Sequence, residues 1–155
     1  MTNTDPLEQL TNYYPISPLI LTAGQPTAEQ IGLVAAAGCQ AVINLARPSS
    51  PNALTDEAEL AAAQGMDYIA IPVVWEEPTL DDLARFFTAM EANQARKVFV
   101  HCVVNYRVSA FIYLYRVLRL GAPPFIPTSS PPTNKDTSLP SFWQVVAAQE
   151  KPAKG

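Results

Sequence analysis

Residues 98–111 read Val-Phe-Val-His-Cys-Val-Val-Asn-Tyr-Arg-Val-Ser-Ala-Phe, and this segment combines a strand, a short loop and the beginning of a helix. The part from Lys97 to His101 is typical of a buried strand, and a long apolar helix is predicted to end at Gly121. Cys102 therefore stands in a tight turn immediately before a helix. Helix N-termini carry unpaired backbone N–H groups and the positive end of the helix dipole, so this turn is a candidate anion site.

Strands and helices alternate through the preceding part of the chain. Further strands are predicted at residues 19–22, 40–45 and 68–74. Helices are predicted at residues 27–37, at residues 55–64 and from Thr79 onward, the first beginning with a capping box of Thr27 and Gln30. This alternation predicts an α/β fold: a single domain with a mostly parallel sheet of about four to five strands and helices on both faces.

Composition changes mark the expected boundaries within a chain of 155 residues, which is the size of one domain. Residues 1–18 are polar and are predicted to form an N-terminal extension to an α/β domain at residues 19–121. Residues 122–140 contain six prolines. We expect residues 122–155 to form a proline-rich segment and a C-terminal helix that pack on the same domain.

Charge and composition exclude several classes of function. A net charge of −4 and a pI near 4.9 disfavour nucleic acid and anionic membranes as partners. The N-terminus lacks the basic and apolar regions of a signal peptide, and we expect a cytoplasmic protein. With two cysteines and one histidine, the chain offers neither a disulfide framework nor a multi-histidine metal site, and no cofactor is predicted.

Cys102 and Arg107 together are suited to nucleophilic chemistry on a phosphate ester. A cysteine at a helix N-terminus is expected to have a lowered pKa, and the guanidinium of Arg107 is a bidentate donor for an oxyanion. The alternative for Cys102 is an ordinary buried cysteine, which is the role we predict for Cys39. A disulfide between the two cysteines is a further alternative.

Residues 101–111 resemble the His-Cys-x5-Arg-Ser/Thr signature of cysteine-dependent protein phosphatases, in particular the compact dual-specificity group. Within that group the chain is most similar to a bacterial branch of phosphatase-like domains, which share a Gly-Gln-Pro-Thr turn (residues 24–27) and an Asn-Leu strand end (residues 44–45). The resemblance covers residues 19–120.

The resemblance implies a role for each residue of the loop. Cys102 matches the nucleophile, which forms a thiophosphoryl intermediate, and Ser109 matches the hydroxyl that assists departure of the phosphoryl group from sulfur. Asn105 stands where phosphatases usually have glycine, and asparagine tolerates the same left-handed backbone. The implied phosphate-binding loop consists of Val103, Val104, Asn105, Tyr106, Arg107 and Val108. For Ser109, capping of the helix is the alternative.

The arginine departs from the signature by one position, because Val108 occupies the usual arginine position in an ungapped alignment. Counted as Cys-x4-Arg, the loop has six residues, which is the length found in rhodanese sulfurtransferases. Three functions therefore remain: a phosphatase acting on phosphate monoesters with weak activity, a sulfurtransferase in which Cys102 carries a persulfide, and a non-catalytic module that binds phosphate or a phosphoprotein. The expected partner is a phosphorylated small molecule or phosphoprotein.

A phosphatase of this kind also needs a general acid for the leaving oxygen. The loop at residues 74–79 contains Glu76 and Glu77, which are the candidates for this acid. Asp81 or Asp82, which follow the loop, could take the same role. Arg47 and His101 are candidate substrate-binding residues, although His101 is interpreted first as a hydrogen-bonding residue behind the loop. Solvated side chains are the alternative for the carboxylates and for Arg47.

Overall fold

The computed structural model describes residues 5–50, 52–74 and 77–118. Its strands are β1 (Tyr14–Ser17), β2 (Ile20–Ala23), β3 (Ala41–Asn44), β4 (Asp67–Ala70) and β5 (Val98–His101). Its helices are α1 (Ala28–Ala36), α2 (Glu57–Ala63), α3 (Leu80–Ala92) and α4 (Tyr106–Leu118), and a 3-10 helix (Pro6–Gln9) precedes β1. Within these ranges, none of the helices combines the length and the apolar character that a membrane span requires.

The described strands form one sheet in the order β1-β2-β5-β3-β4. The last four of these run parallel, and β1 pairs with β2 in the antiparallel sense, so the predicted mostly parallel sheet is confirmed. His101 pairs with Ala23 on one side and with Asn44 on the other, so these strands end at the same level. The segment after His101 therefore leaves the sheet at the middle of its carboxyl edge, where sheets of this type bind ligands.

Side chains of β5 alternate between two apolar clusters, one on each face of the sheet. Val100 belongs to the cluster that contains Phe86 of α3 and Phe111 of α4. Phe99 belongs to the cluster on the opposite face, which contains Ile31 of α1 and residues of α2 and the 3-10 helix. The prediction of helices on both faces is confirmed.

Two capping boxes define where α1 and α3 begin. The hydroxyl of Thr27 accepts from the N–H of Gln30 at 3.2 Å, and the Gln30 side chain accepts from the Thr27 N–H at 3.0 Å, as predicted. Thr79 and Asp82 form the same reciprocal pair at 3.0 Å in both directions. Because a capping box satisfies N–H groups that have no partner within the helix, it stabilises the beginning of the helix at that residue.

The N-terminal segment contributes to the sheet and the core, although the α/β domain was predicted to begin at residue 19. Leu7 and Leu10 are each 3% exposed and pack in the cluster on the α1 and α2 face. Strand β1 contains Pro15, which weakens the sequence signal for a strand but is accepted at the edge of a sheet. The predictions for residues 122–155 lie outside the described residues.

Strand β4 is shorter than the predicted range 68–74. It ends at Ala70, although the N–H groups of Ile71 and Val73 still donate to carbonyls of the β3 segment at 2.9 and 3.0 Å. Pro72 lies between them and has no N–H to donate, so regular pairing stops. The chain nevertheless follows the sheet as far as Val73, which places the Val73 carbonyl at the carboxyl edge.

Candidate active site

The candidate nucleophile follows the central strand directly. Cys102 is 1% exposed, and its side chain belongs to the apolar cluster on the α3 and α4 face. Its N–H donates to the carbonyl of Ala23 at 3.4 Å. The thiol therefore lies at the base of the loop that connects β5 with α4.

Three consecutive carbonyl groups of this loop are held by donors from outside it. The Cys102 carbonyl lies 3.2 Å from Nδ1 of His101, and the Val103 carbonyl accepts from the N–H of Gln25 at 2.9 Å. The Val104 carbonyl accepts from the side-chain amide of Asn12 at 2.8 Å. In a trans peptide the next N–H points opposite to the carbonyl, so the N–H groups of residues 103–105 are turned away from these donors.

Asn105 makes the turn from the loop into α4. Its φ of +75° is in the left-handed region, which confirms that asparagine takes the conformation expected of glycine here. Its side-chain amide donates to the carbonyl of Asn12 at 2.8 Å and to Oγ1 of Thr22 at 3.1 Å. Its own carbonyl accepts from the N–H of Ser109 at 3.0 Å, which is the first bond of the helical type.

The backbone N–H groups of residues 103–108 form the candidate anion cradle. Within the described part of the chain, none of them donates a hydrogen bond to a backbone carbonyl outside α4 or to a side chain. The first three residues of α4 have no carbonyl one turn earlier within the helix to accept from them. A series of N–H groups that converge at a helix N-terminus binds anions by hydrogen bonding and by the helix dipole.

Arg107 and Val108 occupy different environments although they are adjacent. Nη1 of Arg107 donates to the Val73 carbonyl at 2.6 Å, so the half-buried side chain extends along the carboxyl edge toward the end of the β4 segment. Val108 is fully buried in the cluster on the α3 and α4 face. Only the backbone of Val108 can therefore belong to the anion cradle, and Arg107 is the position from which a guanidinium can reach the edge.

Gly24 allows the Gly-Gln-Pro turn to pack directly against the loop. A Cβ atom at this position would overlap the carbonyl oxygen of Val103 and lie 3.0 Å from Cα of Val104. The Gly24 N–H donates to the carbonyl of Thr11 at 2.7 Å. The turn at residues 24–27, which is part of the resemblance to phosphatase-like domains, thus has a physical role as the support beneath the loop.

Of the candidate acids after β4, two aspartates have partners within or at the start of α3, and one glutamate is exposed in the loop before α3. Asp82 is taken up by the capping box of α3, and Asp81 accepts from Arg85 at 2.9 Å, so helix structure accounts for both. Glu77 is exposed, and its N–H donates to the Val74 carbonyl at 3.0 Å. Glu76 lies outside the described residues.

His101 is placed behind the loop and not on its substrate side. It is fully buried, and its side chain projects to the face opposite Cys102, where it stacks at 5.5 Å on Phe99. Its Nε2 lies 2.5 Å from the carboxylate of Glu57. This burial removes His101 from the residues that can contact a substrate. Arg47, the other candidate for substrate binding, is exposed three residues after the end of β3.

Two residues of the site, Glu57 and Gln25, were not predicted from the sequence to belong to it. Glu57 is 2% exposed, and its Oε1 accepts from the side-chain amide of Gln25 at 3.0 Å. Glu57 belongs to an alanine- and glutamate-rich helix in which Glu59 is exposed. No feature of the sequence distinguishes the two glutamates, because only the packing of α2 on the sheet buries one of them.

The second cysteine is remote from the loop. Cys39 belongs to the cluster on the α1 and α2 face, opposite the cluster of Cys102, and both thiols are free. A disulfide between them would have to cross the sheet, so this alternative is wrong. Burial raises the pKa of Cys39 to about 11, with Lys97 acting in the opposite direction. No group of three His, Cys, Asp or Glu residues within the described ranges is arranged to hold a metal ion.

Residues 13–149 match the model of a family described as "DSP-PTPase phosphatase fused to NAD+ Kinase". The crystal structure of a candidate phosphatase (DUF442) from Shewanella putrefaciens CN-32 is 35% identical and has a TM-score of 0.84, with 99% of each chain covered. No curated protein matches the sequence.

More distant structures share the fold. TpbA of P. aeruginosa is 18% identical with a TM-score of 0.61, covering 78% of this chain and 70% of its own. PTPMT1, in a complex with PI(5)P, is 19% identical with a TM-score of 0.61, covering 72% and 76%. The resemblance found in the sequence is thereby confirmed. The chain therefore belongs to this DSP-PTPase family, within the superfamily of cysteine-dependent phosphatases.

Proposed function

We propose that the chain is a cysteine-dependent phosphatase that hydrolyses phosphate monoesters with Cys102 as the nucleophile. The observation that carries this proposal is the loop of residues 102–108. Its carbonyls at residues 102–104 are held from outside, and a cysteine lies at its base. Among the residues that the structure describes, its N–H groups at residues 103–108 donate to no backbone carbonyl outside α4 and to no side chain, which suits them to bind an anion. In enzymes generally, a preorganised set of donors aimed at developing charge is usually the largest single source of transition-state stabilisation.

The reaction would proceed in two displacements. The thiolate of Cys102 attacks phosphorus, a sulfur–phosphorus bond forms, and the bond from phosphorus to the ester oxygen breaks. The leaving oxygen takes its proton from a carboxyl group, for which Glu77 and Glu76 are the candidates. Water then attacks phosphorus and returns a proton to the carboxylate, and the sulfur–phosphorus bond breaks with Ser109 assisting the departing thiolate.

Arg107 would bind the phosphoryl oxygens while the Val73 carbonyl anchors it. The carbonyl occupies one donor of Nη1, and a guanidinium has five donors in a rigid fork. This anchorage restrains the side chain at the carboxyl edge, so little rotamer freedom is lost when phosphate binds. The position of Arg107 is therefore compatible with phosphate binding although it differs from the usual spacing.

The candidate anion cradle and the ligands of two structures with the same fold support a proposal for the substrate class. The fold is shared with a TpbA variant solved with phosphotyrosine and with PTPMT1 solved with PI(5)P, and each of these ligands carries a phosphate monoester group. We assign to this chain the same broad class, a phosphorylated small molecule or phosphoprotein.

The test is hydrolysis of an aryl phosphate by the purified chain. We expect measurable turnover, abolished in Cys102→Ser and retained in the matched control Cys39→Ser, together with binding of vanadate by both variants. Sulfur transfer from thiosulfate to cyanide without ester hydrolysis would instead support the sulfurtransferase. Binding of vanadate without either reaction would support the non-catalytic module.

The general acid is tested by leaving-group dependence. Glu77→Gln and Glu76→Gln are compared with Glu59→Gln on esters with good and poor leaving groups. The variant that lacks the acid should lose about 10²–10⁴-fold on the poor leaving group and much less on the good one. Equal small effects on both esters would remove the two glutamates from the mechanism.

A further inference from the structure

Glu57 is a buried carboxylate that helix structure does not explain. It is the first residue of α2, it is 2% exposed, and the adjacent N-cap residue Asp56 makes no side-chain cap bond. The other buried acidic residue in the described part of the chain, Asp82, is accounted for by its capping box. Burial of an ionisable group is costly unless it is paired, so the partners of Glu57 indicate its role.

Both oxygens of Glu57 are bound by residues that also touch the loop. Oε2 lies 2.5 Å from Nε2 of His101, whose Nδ1 lies 3.2 Å from the Cys102 carbonyl. Oε1 accepts from the side chain of Gln25 at 3.0 Å, and the backbone N–H of the same Gln25 donates to the Val103 carbonyl at 2.9 Å. Two consecutive carbonyls of the candidate phosphate loop are thus connected to one carboxylate.

The position of the protons follows from which atoms can donate. A peptide carbonyl only accepts hydrogen bonds, so Nδ1 of His101 must carry a proton to bind Cys102. Nε2 faces the carboxyl group, and the proton between them sits either on the ring or on Glu57. In both arrangements Nδ1 keeps its proton. Without Glu57, the neutral ring is free to carry its proton on Nε2, and a lone pair would then face the Cys102 carbonyl.

We propose that Glu57 is a positioning residue: through His101 and Gln25 it orients the peptide groups that follow Cys102 and Val103, and so directs their N–H groups toward the phosphoryl group. Repulsion at the Cys102 carbonyl would rotate the first peptide, and the N–H of Val103 would rotate with it because the peptide is planar. This inference rests on the proposed function for its catalytic consequence, and the arrangement of protons is testable independently of it.

The test exploits the fact that His101 is the only histidine in the chain. Labelling with ¹⁵N-histidine gives the NMR signals of one imidazole, which report directly whether Nδ1 and Nε2 carry protons. We expect a protonated Nδ1 in the wild-type protein and in Glu57→Gln, whose amide can donate to Nε2. In Glu57→Leu we expect population of the form with the proton on Nε2. Glu59→Leu, an exposed change on the same helix, should match the wild type.

Kinetics complete the comparison. Because misplacement by about 1 Å can cost roughly 10²-fold in rate, we expect Glu57→Leu to lose about 10- to 100-fold in kcat/KM, with weaker vanadate binding. Glu57→Gln should recover most of this loss. An unprotonated Nδ1 in the wild-type protein would overturn the inference, and this result requires no variant to fold. Unchanged kinetics in folded Glu57→Leu would also overturn it. A protonated Nδ1 in a protein without phosphatase activity would refute the proposed function and leave the positioning role standing.

Discussion

Substitution of Gly24 by alanine tests whether the turn beneath the loop sets its geometry. Gly24 has no left-handed φ, so alanine can adopt its backbone conformation. The effect of the substitution is therefore purely steric. The added Cβ would overlap the carbonyl oxygen of Val103, lie 3.0 Å from Cα of Val104 and lie 3.1 Å from Cγ2 of Thr11. With neighbours on both sides, the methyl group cannot be accommodated without movement of the loop.

The size of the effect follows from these contacts. Carbon atoms pack best at about 3.5–4.0 Å, so the Val104 backbone must move by about 0.5 Å or more. The overlapped carbonyl must move further, by on the order of 1 Å, and it shares a peptide plane with the N–H of Val104. A misplacement of about 1 Å corresponds to a loss of roughly 10²-fold in kcat/KM. Overpacking of this kind typically costs about 1–3 kcal/mol of unfolding free energy.

The assay measures three quantities for each variant: kcat/KM on an aryl phosphate, the Kd for vanadate and the free energy of unfolding in urea. The control is Gly32→Ala in α1, where the nearest atom to a new Cβ is 3.8 Å away. Alanine is favoured over glycine within a helix by up to about 1 kcal/mol, so this control should be more stable and equally active.

Wild-type turnover and vanadate binding in Gly24→Ala would contradict a supporting role for the turn, since the loop would then function without close packing against Gly24. Equal losses in Gly24→Ala and Gly32→Ala would also refute it, because the effect would not be specific to the loop.

Three further predictions concern the loop itself. Burial raises the pKa of Cys39 to about 11, so at pH 8 only on the order of 10⁻³ of this cysteine is thiolate. Iodoacetamide should therefore label Cys102 first, and vanadate should protect Cys102 from labelling. Mass spectrometry of the digested protein measures both effects. Asn105→Ala should lose about 2–4 kcal/mol of unfolding free energy, measured in urea, because alanine is strained in the left-handed region and two hydrogen bonds are lost. Asn105→Gly should lose only the hydrogen-bond part, about 1–2 kcal/mol. Equal losses in the two variants would contradict a role for the backbone angle. Val108→Arg should destabilise the protein by about 3–5 kcal/mol because it buries an unpaired charge. Arg107→Leu should keep the thermal unfolding transition of the wild type and lose phosphate binding. A stable Val108→Arg protein with raised activity would show that the loop can accept an arginine at the usual spacing.

The secondary structure was predictable because its signals are local. The capping box at Thr27, the apolar strand before Cys102 and the alternation of strands with helices all depend on neighbours within a few residues, and each was confirmed. Strand β1 was missed because a short edge strand that contains Pro15 shows no regular apolar alternation. Its place comes from pairing with β2, which no pattern within four residues can indicate.

The loop of the candidate site could be identified from the sequence alone, since Cys102, Asn105, Arg107 and Ser109 lie within one short segment at a helix N-terminus. Tertiary structure alone decided how that segment is held. The loop is bound by Asn12, 92 residues away from Val104, and the histidine behind it is bound by a glutamate 44 residues away. Tertiary packing also decided that position 107 reaches the carboxyl edge while position 108 enters the core. No local pattern indicates these directions, because the orientation of a carbonyl or side chain depends on the group that packs beside it, and those groups come from distant parts of the chain.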